Sequence, residues 1–154
     1  MDKKKILIVD NEADLVLIIK MRLELEGYEV ITAGDGVEGL EKVRSEKPDL
    51  VLLDVSMPKM TGEEVLAKMQ AGEDTKSIPV IMITGMSEVE DIVKYMTKGG
   101  AKDYIVKPFM SEDFLDKIYA ALFASINKKV KKSLEEYKVG DSPRLFKQEI
   151  PAQK

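Results

Sequence analysis

Leu50-Val51-Leu52-Leu53-Asp54 is four apolar residues closed by an acid, with Val55-Ser56-Met57-Pro58 following. A run so short and so uniformly apolar does not fit a helix, which needs about ten residues and a polar outer face. It fits a parallel strand covered on both sides. The same pattern recurs along the chain. Ile6–Val9 closes in Asp10 and Val80–Ile83 closes in Thr84, while Tyr28–Ala33 and Tyr104–Val106 are further β-branched runs, the last leading into Lys107-Pro108. Between them lie stretches with helical spacing, such as Leu15, Ile18, Ile19 and Leu23, or Val37, Leu40 and Val43. Five strands alternating with five helices predict an α/β doubly wound parallel sheet.

The helix starts are marked. Asp35 with Glu38, Thr61 with Glu64, and Ser87 with Glu90 have the capping-box spacing, in which two orphan amides are satisfied reciprocally. Ser111 before Glu112 and Asp113 is a further N-cap, with acids in the first turn. Gly27 and Gly99-Gly100 stand where helices should stop. The last helix departs from the others. Leu115, Ile118, Leu122, Ile126, Val130, Leu134 and Tyr137 continue one apolar seam until Val139-Gly140-Asp141-Ser142-Pro143 breaks it. A helix over 112–137 would be ~39 Å long at 1.5 Å per residue, longer than so small a sheet can cover. The helix either projects from the domain or breaks near Asn127, giving a domain over 1–125 and a C-terminal helical extension and tail over 126–154. The uncovered seam predicts a homodimer or docking onto a target protein, the alternative being a frayed, solvent-exposed tail.

At 154 residues, with 44% apolar and 34% charged side chains, the chain suits one domain with a single sizeable core. There are no cysteines, which excludes disulfides, thiolate metal sites and cysteine nucleophiles and fits a reducing compartment. There are no histidines either, which removes the commonest general base and any phosphohistidine on this chain. No apolar run approaches the ~20 residues of a membrane span, and the basic start at Lys3–Lys5 leads into too few apolar residues for a signal peptide. A cytoplasmic protein is expected. The net charge is −4, yet residues 126–154 carry eight basic and four acidic side chains, so the remainder is strongly acidic and a poor nucleic-acid platform. The tail is too short for a DNA-binding domain with its own core.

Function in an open α/β sheet lies at the carboxyl ends of the strands. With the strand order 2-1-3-4-5, Asp10, Asn11 and Glu12 after the first strand, Asp54 ending the third, Thr84 ending the fourth and Lys107 after the fifth share one crevice. Clustered carboxylates repel one another unless a cation compensates. Mg²⁺, a hard cation that takes a few oxygens and keeps several waters, suits such a pocket. An aspartate beside Mg²⁺, a lysine and a hydroxyl can act as a nucleophile toward phosphorus, the two cations stabilising the transferred oxygens. Asp54 is the best candidate nucleophile, because it ends a central strand and a loop follows it.

Over about residues 3–125 the chain resembles the receiver domain of two-component response regulators, of the stand-alone, chemotaxis-regulator-like kind. The resemblance is carried by Ile6-Leu7-Ile8-Val9-Asp10, by Asp54-Val55-Ser56-Met57-Pro58 with Gly62, by Ile83-Thr84-Gly85 and by Lys107-Pro108-Phe109. It implies a flavodoxin-like fold and a phosphoryl group accepted on Asp54 from the phosphohistidine of a sensor histidine kinase or phosphotransfer protein. It puts Asp10 and Asp54 in a Mg²⁺ pocket, with the backbone carbonyl of Ser56 as a further ligand. Thr84 would hydrogen-bond a phosphoryl oxygen, Lys107 would pair with it, and Thr84 with Tyr104 would form the switch that passes the signal to a downstream protein. The family usually has a second acid where this chain has Asn11, whose amide oxygen can still coordinate Mg²⁺ with one charge fewer.

Two other functions share these residues. A phosphorylation-independent receiver would act as an interaction module alone, and Asn11 is the feature that favours it. A phosphatase of the haloacid dehalogenase type also joins an aspartate nucleophile to Thr, Lys and acids. It places that aspartate after the first strand, however, with a second aspartate two residues on, where this chain has Ser56. Turnover of free phosphate esters is therefore not expected; the chain should only take and lose its own phosphoryl group.

Overall fold

The computed structural model describes residues 3–85, 94, 96, 99–107 and 112–124. Nine elements follow one another as β1 (Lys5–Val9), α1 (Ala13–Leu25), β2 (Glu29–Ala33), α2 (Gly36–Glu46), β3 (Leu50–Asp54), α3 (Gly62–Ala71), β4 (Val80–Thr84), β5 (Asp103–Val106) and α4 (Glu112–Leu122) among the described residues. The strands pair in parallel in the order β2-β1-β3-β4-β5. Both the predicted strands and their predicted order are therefore present. The helix expected from Ser87 lies outside the described residues, apart from Lys94 and Met96, which are helical. The chain divides into the units Met1–Leu122 and Phe123–Lys154. Almost all of the second, including the seam from Ile126 to Tyr137, lies outside the described residues, as do Ser111 and Pro108-Phe109. No described helix is long and apolar enough to cross a membrane.

β1, β3 and β4 carry unbroken apolar runs because alternate residues serve two separate cores. Leu7, Val9, Val51, Leu53, Val80 and Met82 pack with Leu40 and Val43 of α2 and with Val65, Leu66 and Met69 of α3. Ile6, Ile8, Leu50, Leu52, Ile81, Ile83 and Ile105 pack on the other face with Ile19 and Leu23 of α1 and with Phe114 and Ile118 of α4. Each Leu or Ile removed from water this way contributes roughly 1.5–3 kcal/mol. Every residue of β3 and of β4 is buried, which holds their last residues in place.

Two predicted caps form. Asp35 Oδ1 accepts the Glu38 N–H at 2.8 Å, and Glu38 returns to the Gly34 N–H at 3.3 Å, one residue before its expected partner. Thr61 Oγ1 accepts the Glu64 N–H at 3.2 Å. Helix α1 stops as expected at Gly27, whose φ of +94° lets the Tyr28 N–H return to the Leu23 carbonyl at 3.1 Å. The face of α1 differs from the predicted one. Leu15, Val16, Ile19 and Leu23 turn inward, whereas Ile18 is half exposed and joins Leu17, Met21 and Leu25 on an outer apolar stripe. Val37 at the start of α2 is also exposed, while Leu40 and Val43 are buried.

Candidate functional site

The carboxyl ends of β1, β3, β4 and β5 meet in a cleft lined by Asn11, Glu12, Asp54, Ser56, Gly85 and Lys107. Asp54 ends β3 and is 4% exposed; Asp10 follows β1 and is 2% exposed. Lys107 reaches both, its Nζ lying 3.2 Å from Asp10 Oδ2 and 3.6 Å from Asp54 Oδ1. The backbone of Lys107 is fixed by its N–H, which donates to the Thr84 carbonyl at 2.8 Å. Thr84 itself is fully buried at the end of β4, its hydroxyl donating to the Gly85 carbonyl at 3.2 Å. Lys107 thus joins Asp54 as the sequence predicts, with Asn11 and Ser56 exposed at the mouth, while Thr84 meets Lys107 through its backbone carbonyl.

The loop after β3 turns back tightly on the strand. The Gly62 N–H donates to the Val55 carbonyl at 2.9 Å, and a Cβ at Gly62 would collide with the Asp54 carbonyl oxygen. Only glycine permits that approach, which explains Gly62 in the motif.

Burial first and the neighbouring Asp10 charge second push the Asp54 carboxyl up to about 6, with Lys107 and the Ser56 N–H offsetting part of the rise. For Lys107, burial lowers the value, but Glu12, Asp54 and Asp10 outweigh it and leave the ammonium above its usual range. Asp10 Oδ1 accepts the Glu12 N–H at 2.9 Å. Asp10 Oδ2 is buried without a hydrogen bond, because Lys107 sits beside it at ion-pair distance but off the bonding direction. A buried carboxylate oxygen with no donor, next to a second carboxylate that resists ionisation, calls for a cation. Asp10 and Asp54 with the neutral oxygens of Asn11 and Ser56 are a donor set that fits Mg²⁺. Among the described residues no three Asp, Glu, His or Cys side chains form a metal-holding group, and position 11 offers a neutral amide.

Glu12 is the residue that sequence reasoning did not resolve. It occupies the N-cap of α1 without capping it, and its carboxylate instead accepts a hydrogen bond from Lys107 Nζ at 2.7 Å. The contact spans 95 positions of sequence, so no local pattern announces it. Tyr104, on β5, pairs in register with Met82 and packs into the core on the α2–α3 face. Lys117 of α4 lies 4.6 Å from the centre of its ring and donates to its carbonyl at 2.7 Å.

Residues 6–119 match the family described as the response regulator receiver domain. The chain is 41% identical over 119 residues to the alkaline phosphatase synthesis transcriptional regulatory protein PhoP of Bacillus subtilis, covering 77% of this chain and 48% of that protein. It is 42% identical over 121 residues to the probable transcriptional regulator ycf27 of Cyanophora paradoxa, covering 79% of this chain and 49% of the relative. The chain thus spans about half the length of the curated relatives it matches. Among solved structures, a CheY-like receiver domain protein from Methanospirillum hungatei aligns with a TM-score of 0.75 at 36% identity, over 82% of this chain and 99% of that one. The chemotaxis response regulator CheY4 of Vibrio cholerae aligns with a TM-score of 0.73 at 32% identity, over 79% of this chain and all of that one.

Proposed function

The chain belongs to the receiver domain family of response regulators, and from that premise we propose that Asp54 accepts a phosphoryl group from a phosphohistidine on a sensor histidine kinase or phosphotransfer protein. The observation that carries this reading is Asp54 itself, a buried carboxylate at a strand end with Lys107 Nζ 3.6 Å away. An Asp54 oxygen attacks phosphorus, the P–N bond to the donor imidazole breaks, and the imidazole leaves with the electron pair and takes a proton. A carboxyl held up to about 6 is ionised at neutral pH and more basic than an ordinary aspartate, which favours it as a nucleophile. A bound Mg²⁺ would neutralise charge on the transferred oxygens. Asp10, Asp54, Asn11 and the Ser56 carbonyl would hold it, and Lys107 and the Thr84 hydroxyl would bind the remaining oxygens.

The transferred group brings roughly −1.5 to −2 of charge, and a bistable element must spread that change. Thr84 and Tyr104 are the proposed element, altering a surface that a downstream protein contacts. No free substrate is turned over; the only chemistry proposed is gain and loss of the chain's own phosphoryl group. The test is incubation with acetyl phosphate and Mg²⁺. Wild type should gain about 80 Da, one HPO₃ group, and Asp54→Asn should not. Equal labelling of the two would refute the acceptor, and no labelling of wild type would favour the phosphorylation-independent module.

A further inference from the structure

Lys107 has three carboxylate neighbours and favours one of them. Its Nζ lies 2.7 Å from Glu12 Oε1, 3.2 Å from Asp10 Oδ2 and 3.6 Å from Asp54 Oδ1, and only the first is an aligned hydrogen bond. The Glu12 side chain is 57% exposed, against 5% for Asp54, so the closest contact draws the ammonium toward the mouth of the cleft and away from the acceptor. The position of Glu12 is set by the backbone. Its N–H donates to Asp10 Oδ1 and its carbonyl accepts the Val16 N–H at 3.0 Å, the opening bond of α1. The carboxylate itself makes no capping bond to α1, so the helix does not need it.

We propose that Glu12 is a competing counter-ion for Lys107. Its carboxylate holds the ammonium in the unphosphorylated protein and must release it before Lys107 can pair with a group on Asp54. This rests on the reading of Asp54 as the acceptor and adds to it a residue that opposes the charged state. Glu12 is a positioning residue, acting on the phosphoryl group only through Lys107. An ion pair this exposed is a weak competitor, so its removal should strengthen binding by roughly two- to fivefold.

The experiment compares wild type, Glu12→Gln and Glu12→Asp for affinity toward fluoroberyllate with Mg²⁺ and for the rate of labelling by acetyl phosphate. Glutamine removes the charge, while aspartate keeps the charge but is too short by one methylene to keep the 2.7 Å contact. Both variants should bind fluoroberyllate roughly two- to fivefold more tightly and label correspondingly faster. In the cation-free protein, the NMR signal of the Lys107 ammonium should shift in both. Unchanged or weaker binding by Glu12→Gln overturns the proposal. So does tighter binding by Glu12→Gln with wild-type binding by Glu12→Asp, since the effect would then be one of general charge. If wild type neither binds fluoroberyllate nor labels, the acceptor reading fails and this proposal with it. If wild type responds and the variants match it, only the role of Glu12 falls.

Discussion

Replacing Asp54 with asparagine should stabilise the domain at neutral pH. The carboxyl is raised from 3.8 to about 6, first by burial and then by Asp10, so the folded protein holds this proton more tightly than the unfolded chain does. Between those values the folded state binds the extra proton, and stability falls as pH rises through the window. Above it the ionised carboxylate costs about two pKa units at 1.36 kcal/mol each, or about 3 kcal/mol. Asparagine has nearly the same shape and no charge to bury. In buffer with a chelator, the urea midpoint of Asp54→Asn at pH 7.5 should exceed that of wild type by about 1.5 M, for a slope of about 2 kcal/mol/M. The gain should shrink through pH 5 and vanish below about pH 3, where the wild-type carboxyl is protonated in both states. Equal midpoints at pH 7.5, or a gain independent of pH, would refute the account of the site as a pocket that resists its own charge.

Asn11→Asp restores a second acid beside Asp10 and should tighten Mg²⁺ binding roughly tenfold, read by calorimetric titration. Unchanged affinity would mean that position 11 does not face the cation. Gly62→Ala drives a methyl into the Asp54 carbonyl and should cost about 1–3 kcal/mol of stability in denaturant titration. It should also slow labelling by acetyl phosphate, because the acceptor's backbone must yield.

Much of this site was legible because it sits where strands end. β1, β3 and β4 announce themselves by running apolar without alternation, and the residue that breaks the run (Asp10, Asp54 or Thr84) is the one delivered to the carboxyl edge. The fold followed from the same runs, since a strand at the centre of a sheet covered on both faces has no solvent-facing side. The face of α1 was not legible. Five consecutive apolar residues from Leu15 to Ile19 satisfy several helical faces at once, and packing into the core shared with Ile6, Ile8 and Val30 selected Val16 over Ile18. The Glu12–Lys107 pair was hidden for another reason, being a contact between two loops that only the finished sheet brings together.

The pleat of the strands carries one more consequence. Asp10 continues the row of Ile6 and Ile8, Asp54 that of Leu50 and Leu52, and Lys107 that of Ile105, all on the side covered by α1 and α4. Thr84 continues the row of Met82, and Tyr104 packs beside it, on the side covered by α2 and α3. Under the proposed reading, the sheet is a partition with the charged triad rooted on one side and the switch pair on the other. Deleting a single residue from β4 would turn Thr84 to the wrong side while leaving Asp54 and Lys107 in place. A domain altered in that way would lose the Thr84 hydroxyl from the transferred group together with the strand-to-strand route from the acceptor to the far face.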